Sequence, residues 1–408
     1  MLDLKFIREN PDLVVKKAKE KGIEVNIEHI LVLDNKLRGL DTMVQSLREE
    51  RNRAAKEKNI EKGKEVKVKL EKHENDLNAI KEELNKYLLQ LPNPAKDDVK
   101  FGKNDTENEV LRRVGEPTKF NFAPKDHLSL GEKLDIIDVV RASKISGARF
   151  YFLKNEGALL EFALRQLAFD LLLKEGFIPL IPPVLIKTEV MKGLGYMENG
   201  GDEDMYILDK DDLVLVGTSE QSIVAIHKDE VLNAKDLPKR YVGFSTCFRR
   251  EAGSYGKDTR GILRAHQFDK VEMVSYTKQG EDDKEHEYLL SLEEKLLQSL
   301  GIPYQVVKMC TGDLGYPAAR KYDLEAWIPS ENKYREVTST STTTDFQSRR
   351  LNIKYQDGNE KNYVNILNGT AFSTRPIIAI LENYQQEDGS IIIPEVLQKY
   401  IGKEVIKR

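Results

Sequence analysis

The chain has 408 residues, 32% charged and 40% hydrophobic, with a formal net charge of −4 at pH 7. This length exceeds one ordinary core, so we expect two domains, with any nucleic-acid contact made by a local basic patch. No apolar run approaches the ~20 residues that cross a bilayer, and the first residues do not have the pattern of a secretory signal. The two cysteines and six scattered histidines do not have the spacing of a zinc site. We therefore expect a cytoplasmic protein with no membrane partner and no zinc.

The N-terminal part predicts a helical hairpin. Residues 1–25 predict a short helix and a connection, and apolar residues then recur at three- and four-residue steps along 30–47 and 70–91. Two such heptad seams, joined around residues 59–64, predict an antiparallel coiled coil over about 27–91. At ~1.5 Å per residue, helices of roughly thirty residues project about 45 Å.

Basic residues concentrate near the predicted tip of this hairpin. A charged helical face is usually only solvated, but a local cationic excess in an acidic protein favours contact with a phosphate backbone. The spacing leaves a nucleic-acid arm and an oligomerisation coil both open. The basic residues are Arg48, Arg51, Arg53, Lys56, Lys58, Lys62, Lys64, Lys67 and Lys69.

The second helix ends at Leu91-Pro92-Asn93-Pro94, because proline lacks a backbone donor and clashes with the preceding turn. The polar residues 96–119 predict a linker, and we place the domain boundary near residue 105. Beyond it, residues 157–175 form a well-patterned helix that Gly176 ends. The proline-bearing residues 177–186 then predict an extended segment at a sheet edge or interface.

A polar group, Thr218-Ser219-Glu220, follows a strand of the buried type at residues 213–216. One interpretation is a helix N-cap with an acid in the first turn. The other is recognition of an α-ammonium group, for which a carboxylate and a hydroxyl are suitable partners. Both interpretations can hold together.

Residues 241–276 predict a long antiparallel hairpin with a glycine-rich turn that carries Gly253, Gly256 and Gly261. Arginines that reach one point from two strands suit a polyphosphate, because guanidinium binds phosphate oxygens bidentately. A phenylalanine nearby offers a face on which a nucleobase can stack. The alternative is a surface hairpin rich in ion pairs. The residues concerned are Arg249, Arg250, Glu251, Arg264 and Phe268.

Two alternating strands follow at residues 322–328 and 334–341, and a helix opens at Asp345. By its pattern alone, Glu336 in the second strand is a simple exposed residue. Residues 365–385 then predict a strand, a tight turn and a helix with Arg375 near its start.

The order Phe-Arg-x-Glu … Arg-x-His-Gln-Phe-x-Lys-Val-Glu at residues 248–272 resembles motif 2 of class II aminoacyl-tRNA synthetases, in the form used by seryl-tRNA synthetases. The segments 157–186 and 365–385 resemble motifs 1 and 3. The resemblance covers essentially the whole chain. It implies an α+β protein, with an antiparallel α-helical coiled-coil hairpin that binds tRNA in residues 1–105. A class II catalytic domain, an antiparallel β-sheet flanked by helices, follows in residues 106–408 and forms a homodimer through motif 1.

The implied reaction has two steps. Serine and ATP give seryl-adenylate, and the acyl group then passes to the 3′ end of tRNA(Ser), with tRNA(Sec) left open as a second acceptor. Attack of a carboxylate on the α-phosphorus needs alignment and charge neutralisation more than a protein base. A site of arginines and Mg²⁺ is suited to this chemistry, so His266 is read as a structural brace of the hairpin.

The resemblance also implies the role of each site residue. For serine, Thr218 and Glu220 hold the ammonium, Arg249 holds the carboxylate together with the α-phosphate, and Glu272, Asn368 and Thr370 form the pocket for the hydroxyl. For ATP, Glu251 binds the adenine amino group, Phe268 and Arg375 cover the two adenine faces, and Arg264 binds the phosphates. Glu336 and Ser339 hold Mg²⁺ on ATP. Arg249, Arg264 and Arg375 are the expected catalytic residues.

Departures and alternatives accompany this assignment. Thr338–Thr343 replaces a family run richer in serine and cysteine, and Phe372 stands in a stretch that is usually richer in glycine, where we expect it to reshape the pocket wall. Glu272 has the alternative of pairing with Lys270 or Arg264, and Thr370 that of a turn residue. Competing functions are a zinc-dependent ligase that charges a carrier protein, a catalytically silent synthetase-like binding protein, and a coiled-coil interaction protein.

Overall fold

The structure is a computed structural model that describes residues 1–198, 200–252 and 260–408. The chain divides into two compact units, Met1–Pro94 and Ala95–Arg408. The division falls before the boundary that we expect near residue 105, because the polar residues after Pro94 are bonded into the second unit. The Lys96 amide donates to the Ala319 carbonyl (2.9 Å), and Val99 is buried beside Met309.

The first unit is helical and comprises α1 (Leu4–Glu9), α2 (Pro11–Glu20), α3 (Ile27–Lys56) and α4 (Ile60–Leu89). Pro11 occupies the first turn of α2, so the predicted single short helix is in fact two. The connection between α3 and α4 is shorter than predicted, because the Asn59 side chain caps the amide of Lys62 (3.0 Å) and starts α4 early. Gly63 therefore lies inside α4.

Helices α3 and α4 form the predicted antiparallel hairpin. The ion pairs Glu50–Lys62 (3.1 Å) and Arg48–Glu74 (2.8 Å) join them near the tip, and His29–Glu83 (3.2 Å) near the base. The predicted heptad residues are buried or half-buried, as a period of 3.5 predicts. Those fully buried are Ile30, Leu33, Val44, Leu70, Leu77, Leu84 and Leu91.

The second unit combines helices and strands. Its helices are α5 (His127–Lys133), α6 (Val139–Ser146), α7 (Asn155–Lys174), α8 (Thr188–Leu194), α9 (Glu220–Val224), α10 (Asp282–Ser299), α11 (Phe346–Leu351), α12 (Arg375–Asn383) and α13 (Glu395–Ile401). Among the described residues, none of the helices of either unit combines the length and apolar character that crossing a membrane requires.

The strands of the second unit, in chain order, are β1 (Glu109–Val114), β2 (Ile137–Asp138), β3 (Phe152–Leu153), β4 (Ile178–Leu180), β5 (Leu185–Lys187), β6 (Ile207–Leu208), β7 (Leu213–Leu215), β8 (Val231–Asn233), β9 (Lys239–Phe248), β10 (Gln267–Thr277), β11 (Tyr304–Lys308), β12 (Arg320–Ile328), β13 (Lys333–Thr344), β14 (Lys354–Asp357), β15 (Glu360–Tyr363), β16 (Asn365–Ser373), β17 (Ile391–Ile392) and β18 (Val405–Ile406). Within the described residues the main sheet has eight strands, in the order β1-β11-β12-β13-β16-β10-β9-β4. It is antiparallel except that β4 runs parallel to β9. Since β4 is the last strand in this order, the proline-bearing segment lies at the sheet edge, as predicted.

The sheet carries an apolar cluster on each face, because successive strand residues point to opposite sides. Met273 of β10 belongs to one cluster, with residues of α7, α10 and α12, and Val274 belongs to the other, with residues of α8, α9 and α11. Phe372 is buried in the first cluster and pairs with Val271. Our expectation that Phe372 reshapes the pocket wall is therefore wrong, because its strand position turns the ring into the core.

Strand register brings the predicted site residues to one region of the sheet. In β10 and β16, Glu272 pairs with Thr370 and Val274 pairs with Asn368. In β9 and β10, Phe268 pairs with Cys247. Arg249 lies two residues further on, directly after the end of β9. Helix α12 begins directly after β16, so its first residue, Arg375, lies at the same end of the sheet.

Candidate active site

A cavity opens where β9 ends and β10 begins, beside the first half of β13 and at the junction of β16 with α12. Its walls combine guanidinium groups, carboxylates, hydroxyls and one aromatic ring. Many of the residues for which we predict a role in ATP binding line this one cavity. They are Arg249, Glu251, Phe268, Glu336, Ser339 and Arg375, joined by Thr370 of the predicted serine pocket.

Arg249 is held in place by two contacts. Its Nε donates to the Gly217 carbonyl (2.9 Å), and its guanidinium carbon lies 5.2 Å from the centroid of the Phe268 ring. The backbone amide of Arg249 also donates to the His266 carbonyl (3.0 Å), and His266 Nδ1 lies 3.0 Å from the Arg249 carbonyl. His266 contacts Arg249 through the backbone, in the geometry expected of a structural brace.

Glu251 adopts a left-handed backbone conformation with φ 51°, which a non-glycine residue rarely adopts. Its carbonyl accepts a hydrogen bond from Arg149 Nη1 (2.8 Å), and its Oε2 lies 3.3 Å from Arg264 Nη1. Arg264 thus reaches the site through Glu251, although its own side chain is not part of the cavity wall within the described residues. The predicted glycine turn that follows, with Gly253 and Gly256, lies outside the described residues.

Arg375 and Glu336 form an ion pair inside the cavity, with 2.8 Å between Nη1 and Oε2. Although desolvation opposes ionisation, Arg375 and Lys321 together hold the pKa of Glu336 below its usual value. An ionised carboxylate and the Ser339 hydroxyl line the same wall, and oxygen ligands of this kind suit Mg²⁺. The residues present therefore fit the ion.

The threonines that depart from the family pattern are mostly buried and use their hydroxyls inside the protein. Thr338 donates to Glu293 Oε2 (3.1 Å), and Thr340 donates to the Asn368 carbonyl (2.7 Å). Thr343 donates to the Ile366 carbonyl (3.0 Å). These side chains tie β13 to its neighbours, while Ser339 lines the cavity.

Beside the cavity lies a cluster of buried polar side chains from α9, the residues just before it, β10 and β16, which we call the buried pocket. Thr218, Glu220 and Glu272 are nearly inaccessible, with relative exposures of 6%, 4% and 0%. The Tyr196 hydroxyl donates to Glu220 Oε1 (2.8 Å), and the Glu220 amide lies 3.4 Å from Thr218 Oγ1. The contact between the Glu220 amide and Thr218 Oγ1 is long for a hydrogen bond, so Thr218 is at most a weak N-cap of α9.

Lys270 is the cation of this pocket. Its Nζ donates to Thr218 Oγ1 (2.9 Å) and lies 2.7 Å from Glu272 Oε2. Thr370 Oγ1 approaches the same carboxylate oxygen at 3.4 Å. The alternative pairing of Glu272 with Lys270 is therefore observed, whereas Thr370 lies within β16 and is not a turn residue.

Burial sets the protonation of the two carboxylates. It raises the pKa of Glu272 to about 7, against the opposing effect of Lys270 and with the nearby Glu220 adding to the rise. Burial likewise raises the pKa of Glu220, again opposed first by Lys270. The pocket therefore holds two acidic groups that share one lysine.

Asn368 pairs with Val274, two residue pairs along from the Glu272–Thr370 pair, and is 7% exposed. Together with Thr218, Glu220 and Glu272 it stands behind the cavity rather than in its wall, as far as the described residues extend. Lys270 and Thr370 belong to both the cavity and the pocket and so connect them.

From the sequence, Lys270 is expected only as an alternative ion-pair partner of Glu272, and Tyr196 has no predicted role. The signal for Lys270 is a lysine inside the apolar strand that continues through Val271, Met273 and Val274, where a charge needs a buried partner. Tyr196 carries no such signal, because its contact with Glu220 depends on the placement of α8 against α9.

Residues 205–384 match the family model described as the class II core domain of tRNA synthetases for G, H, P, S and T. With the sheet and the arginines from β9 and α12, this match defines a class II aminoacyl-tRNA synthetase. Residues 1–95 match the model of the seryl-tRNA synthetase N-terminal domain.

Relatives of known function agree along the whole chain. The serine–tRNA ligase of Thermobifida fusca is 46% identical over 418 residues, covering 100% of this chain and 99% of that protein. The crystal structure of Pyrococcus horikoshii seryl-tRNA synthetase complexed with ATP is 40% identical, with a TM-score of 0.92 over 100% of this chain and 99% of that one. The Naegleria fowleri cytoplasmic enzyme in complex with AMP is 33% identical, with a TM-score of 0.89 and the same coverage. This chain belongs to the seryl-tRNA synthetase family.

Proposed function

We propose that the cavity and the adjoining pocket bind ATP and serine side by side and join them as seryl-adenylate. Family membership makes the chain an ATP-dependent serine–tRNA ligase, and the proposal concerns which residues carry out the reaction. The observation that supports it best is the position of Arg249. It lines the cavity, contacts Phe268 and donates to Gly217, next to Thr218 of the buried pocket.

In the first step a serine carboxylate oxygen attacks the α-phosphorus, and the bond to the β-phosphate oxygen breaks to release pyrophosphate. Arg249 neutralises charge on the serine carboxylate and α-phosphate, and Arg264 binds the phosphates. Preorganised cations of this kind stabilise developing charge without reorganisation. A hydroxyl at the 3′ end of tRNA(Ser) then takes the acyl group, the acyl–phosphate bond breaks and AMP leaves; tRNA(Sec) remains a candidate second acceptor.

Adenine binds between Phe268 and Arg375, with its amino group at Glu251. Glu336 and Ser339 hold Mg²⁺ on ATP, since they place a carboxylate and a hydroxyl on one wall. When bound, this ion neutralises phosphate charge and orients the pyrophosphate leaving group. We propose no role for zinc.

Serine occupies the buried pocket. Its ammonium binds Glu220 and Thr218, and its hydroxyl binds Glu272 and Thr370, next to Asn368. Glu272 pairs with Thr370 across β10 and β16 and is buried. A buried carboxylate acceptor favours an amino acid with a hydroxyl.

The helical hairpin binds tRNA(Ser). Arg51, Arg53, Lys56 and Lys58 are exposed at its tip, in a protein of net charge −4. A local cationic surface of this kind attracts a phosphate backbone.

We further propose a cytoplasmic homodimer. Large apolar side chains are exposed along α7 and around the edge strand β4: Phe162 is 54% exposed, Leu173 45%, Ile178 46% and Ile181 86%. Exposed apolar surface on this scale marks an interaction site, and an edge strand offers unpaired backbone groups to a second copy. Cytoplasmic location follows the description of the Naegleria relative.

The testing experiment is ATP–pyrophosphate exchange with each of the twenty amino acids. Exchange that depends on serine and on Mg²⁺ supports the proposal. Stronger exchange with another amino acid contradicts the serine pocket, and unchanged exchange after chelation of divalent ions contradicts the magnesium assignment.

A further inference from the structure

Lys270 connects the two ends of the buried pocket. Its ammonium group binds Thr218, at the end proposed for the serine ammonium, and Glu272, at the end proposed for the serine hydroxyl. The Lys270 side chain is only 10% exposed and that of Glu272 only 1%. A cation this deeply buried is held by its partners and is costly to place there without them.

The second oxygen of Glu272 has a different environment. Oε2 faces Lys270 and Thr370, whereas Oε1 is buried and accepts no hydrogen bond from the residues that the structure describes. A buried acceptor without a donor is unfavourable, and a ligand hydroxyl would satisfy it. A lysine ammonium can only donate, so it leaves the carboxylate ionised and in the role of acceptor.

We propose that Lys270 is a positioning residue for serine recognition, which orients Glu272 and keeps it an ionised acceptor for the substrate hydroxyl while aligning Thr218 at the other end. This inference rests on the proposed serine pocket. Lys270 is expected to act through Glu272 and Thr218, without a requirement to touch the reacting atoms. Discrimination between serine and alanine should therefore depend on it.

The charges around Glu272 favour this assignment. Lys270 faces it from the same strand, Glu220 from α9, and the buried Glu293 from α10, with Thr370 on β16. Burial raises the pKa of Glu293 well above its ordinary value, which favours the protonated form. Lys270 contacts Glu272 directly and is the cation that most strongly opposes the rise in the pKa of both acids, so its loss leaves repulsion and desolvation largely uncompensated.

The sign of the pH effect follows. Glu272 already titrates at about 7 with Lys270 present. Without the lysine its pKa rises further, so at pH 7 more of it is protonated and fewer sites can accept the serine hydroxyl. The ionised form, and with it the preference for serine, returns as the pH is raised.

The test compares kcat/KM for serine and for alanine in pyrophosphate exchange from pH 6 to pH 9. In Lys270→Met the serine-to-alanine ratio at pH 7 should fall by about fivefold or more, since raising the pKa of Glu272 by one unit from about 7 lowers its ionised fraction at pH 7 from about one half to about one tenth. The ratio should recover toward pH 9. Lys270→Arg should keep both the ratio and its pH midpoint close to those of the wild type. Lys278→Met is the matched control, because Lys278 pairs with Asp357 outside the pocket.

Two further variants guard against a folding defect. Lys270→Gln keeps a donor without the charge and should resemble Lys270→Met. In Lys270→Met/Glu272→Gln both charges of the pair are gone, so this variant avoids an uncompensated carboxylate, and it should match Glu272→Gln alone.

The possible failures are distinct. If Glu272→Gln lowers the ratio but Lys270→Met and Lys270→Gln do not, the serine pocket stands and the role of Lys270 is overturned. The role of Lys270 is also overturned if Lys270→Met lowers the serine-to-alanine ratio equally at every pH. It is overturned as well if the effects of Lys270→Met and Glu272→Gln on this ratio are fully additive in the double variant. If Glu272→Gln leaves the ratio unchanged, the serine pocket itself is wrong and the inference falls with it.

Discussion

Arg375 at the start of α12 and Glu336 in β13 hold each other across the cavity, with 2.8 Å between Nη1 and Oε2. Arg375 is the residue proposed for the adenine face, and Glu336 is the residue proposed for Mg²⁺. Their pairing neutralises both groups before any ligand binds. ATP with its metal ion is therefore expected to replace this contact.

Glu336→Gln should raise the Mg²⁺ concentration for half-maximal pyrophosphate exchange by at least ~10-fold, because changes around a metal site commonly cost 10- to 100-fold in affinity. Titration of exchange activity with Mg²⁺ measures this. Glu325→Gln is the control, since Glu325 pairs with Glu336 across β12 and β13 but binds Gln305. Equal magnesium requirements in Glu336→Gln and the wild type would remove Glu336 from the metal site.

Arg249→Ala should abolish adenylate formation and leave the fold intact. One preorganised donor to developing charge is typically worth ~3–4 kcal/mol, which corresponds to 10²- to 10³-fold in rate. Pyrophosphate exchange measures the loss, and circular dichroism and thermal melting check the fold. Arg250→Ala is the control, because the neighbouring Arg250 stacks over Tyr206. Exchange within about threefold of the wild type refutes the role of Arg249.

Deletion of residues 27–91 should separate the two steps. The hairpin belongs to the unit Met1–Pro94, whereas the cavity belongs entirely to Ala95–Arg408. Exchange with serine should persist while charging of tRNA(Ser) collapses. Charging near wild-type efficiency would contradict the assignment of the hairpin to tRNA.

Neutralising the tip with Arg51→Gln, Arg53→Gln, Lys56→Gln and Lys58→Gln together should raise the KM for tRNA and flatten its salt dependence. Each lost phosphate contact removes one counterion-release contribution of about −0.9 from the logarithmic slope. Charging rates measured across a salt series give the slope. Lys16→Gln and Lys19→Gln in α2 provide a control of similar type. An unchanged slope would favour an oligomerisation coil.

Glu272→Ala should cost far more with serine than with alanine. A site built to bind a hydroxyl can reject an analogue without it by ~10⁴-fold, because its polar groups are otherwise left unpaired. The ratio of kcat/KM values in pyrophosphate exchange should narrow. If both activities fall together and the ratio stays, Glu272 is structural, and its pairing with Lys270 is its whole role.

The sequence by itself determined much of the architecture. The heptad residues from Ile30 to Leu91 predicted two helices, because a period of 3.5 buries only one stripe of each. The hairpin of β9 and β10 was readable because apolar strands flank a glycine-rich turn. The residue order around Arg249 and Phe268 was particular enough to indicate the family and, through it, the class of reaction.

Other features depended on the tertiary structure. Local polarity suggested a boundary near residue 105, but the amide of Lys96 finds its partner in Ala319, far away in sequence. Phe372 faces the core rather than the pocket because the register of β16 against β10 decides which side it takes. Lys270 reads as one more charge in a strand until the fold buries it between Thr218 and Glu272, which come from two different elements. Register and burial arise from pairings distant in sequence, so only the folded chain decides which charges must share a pocket.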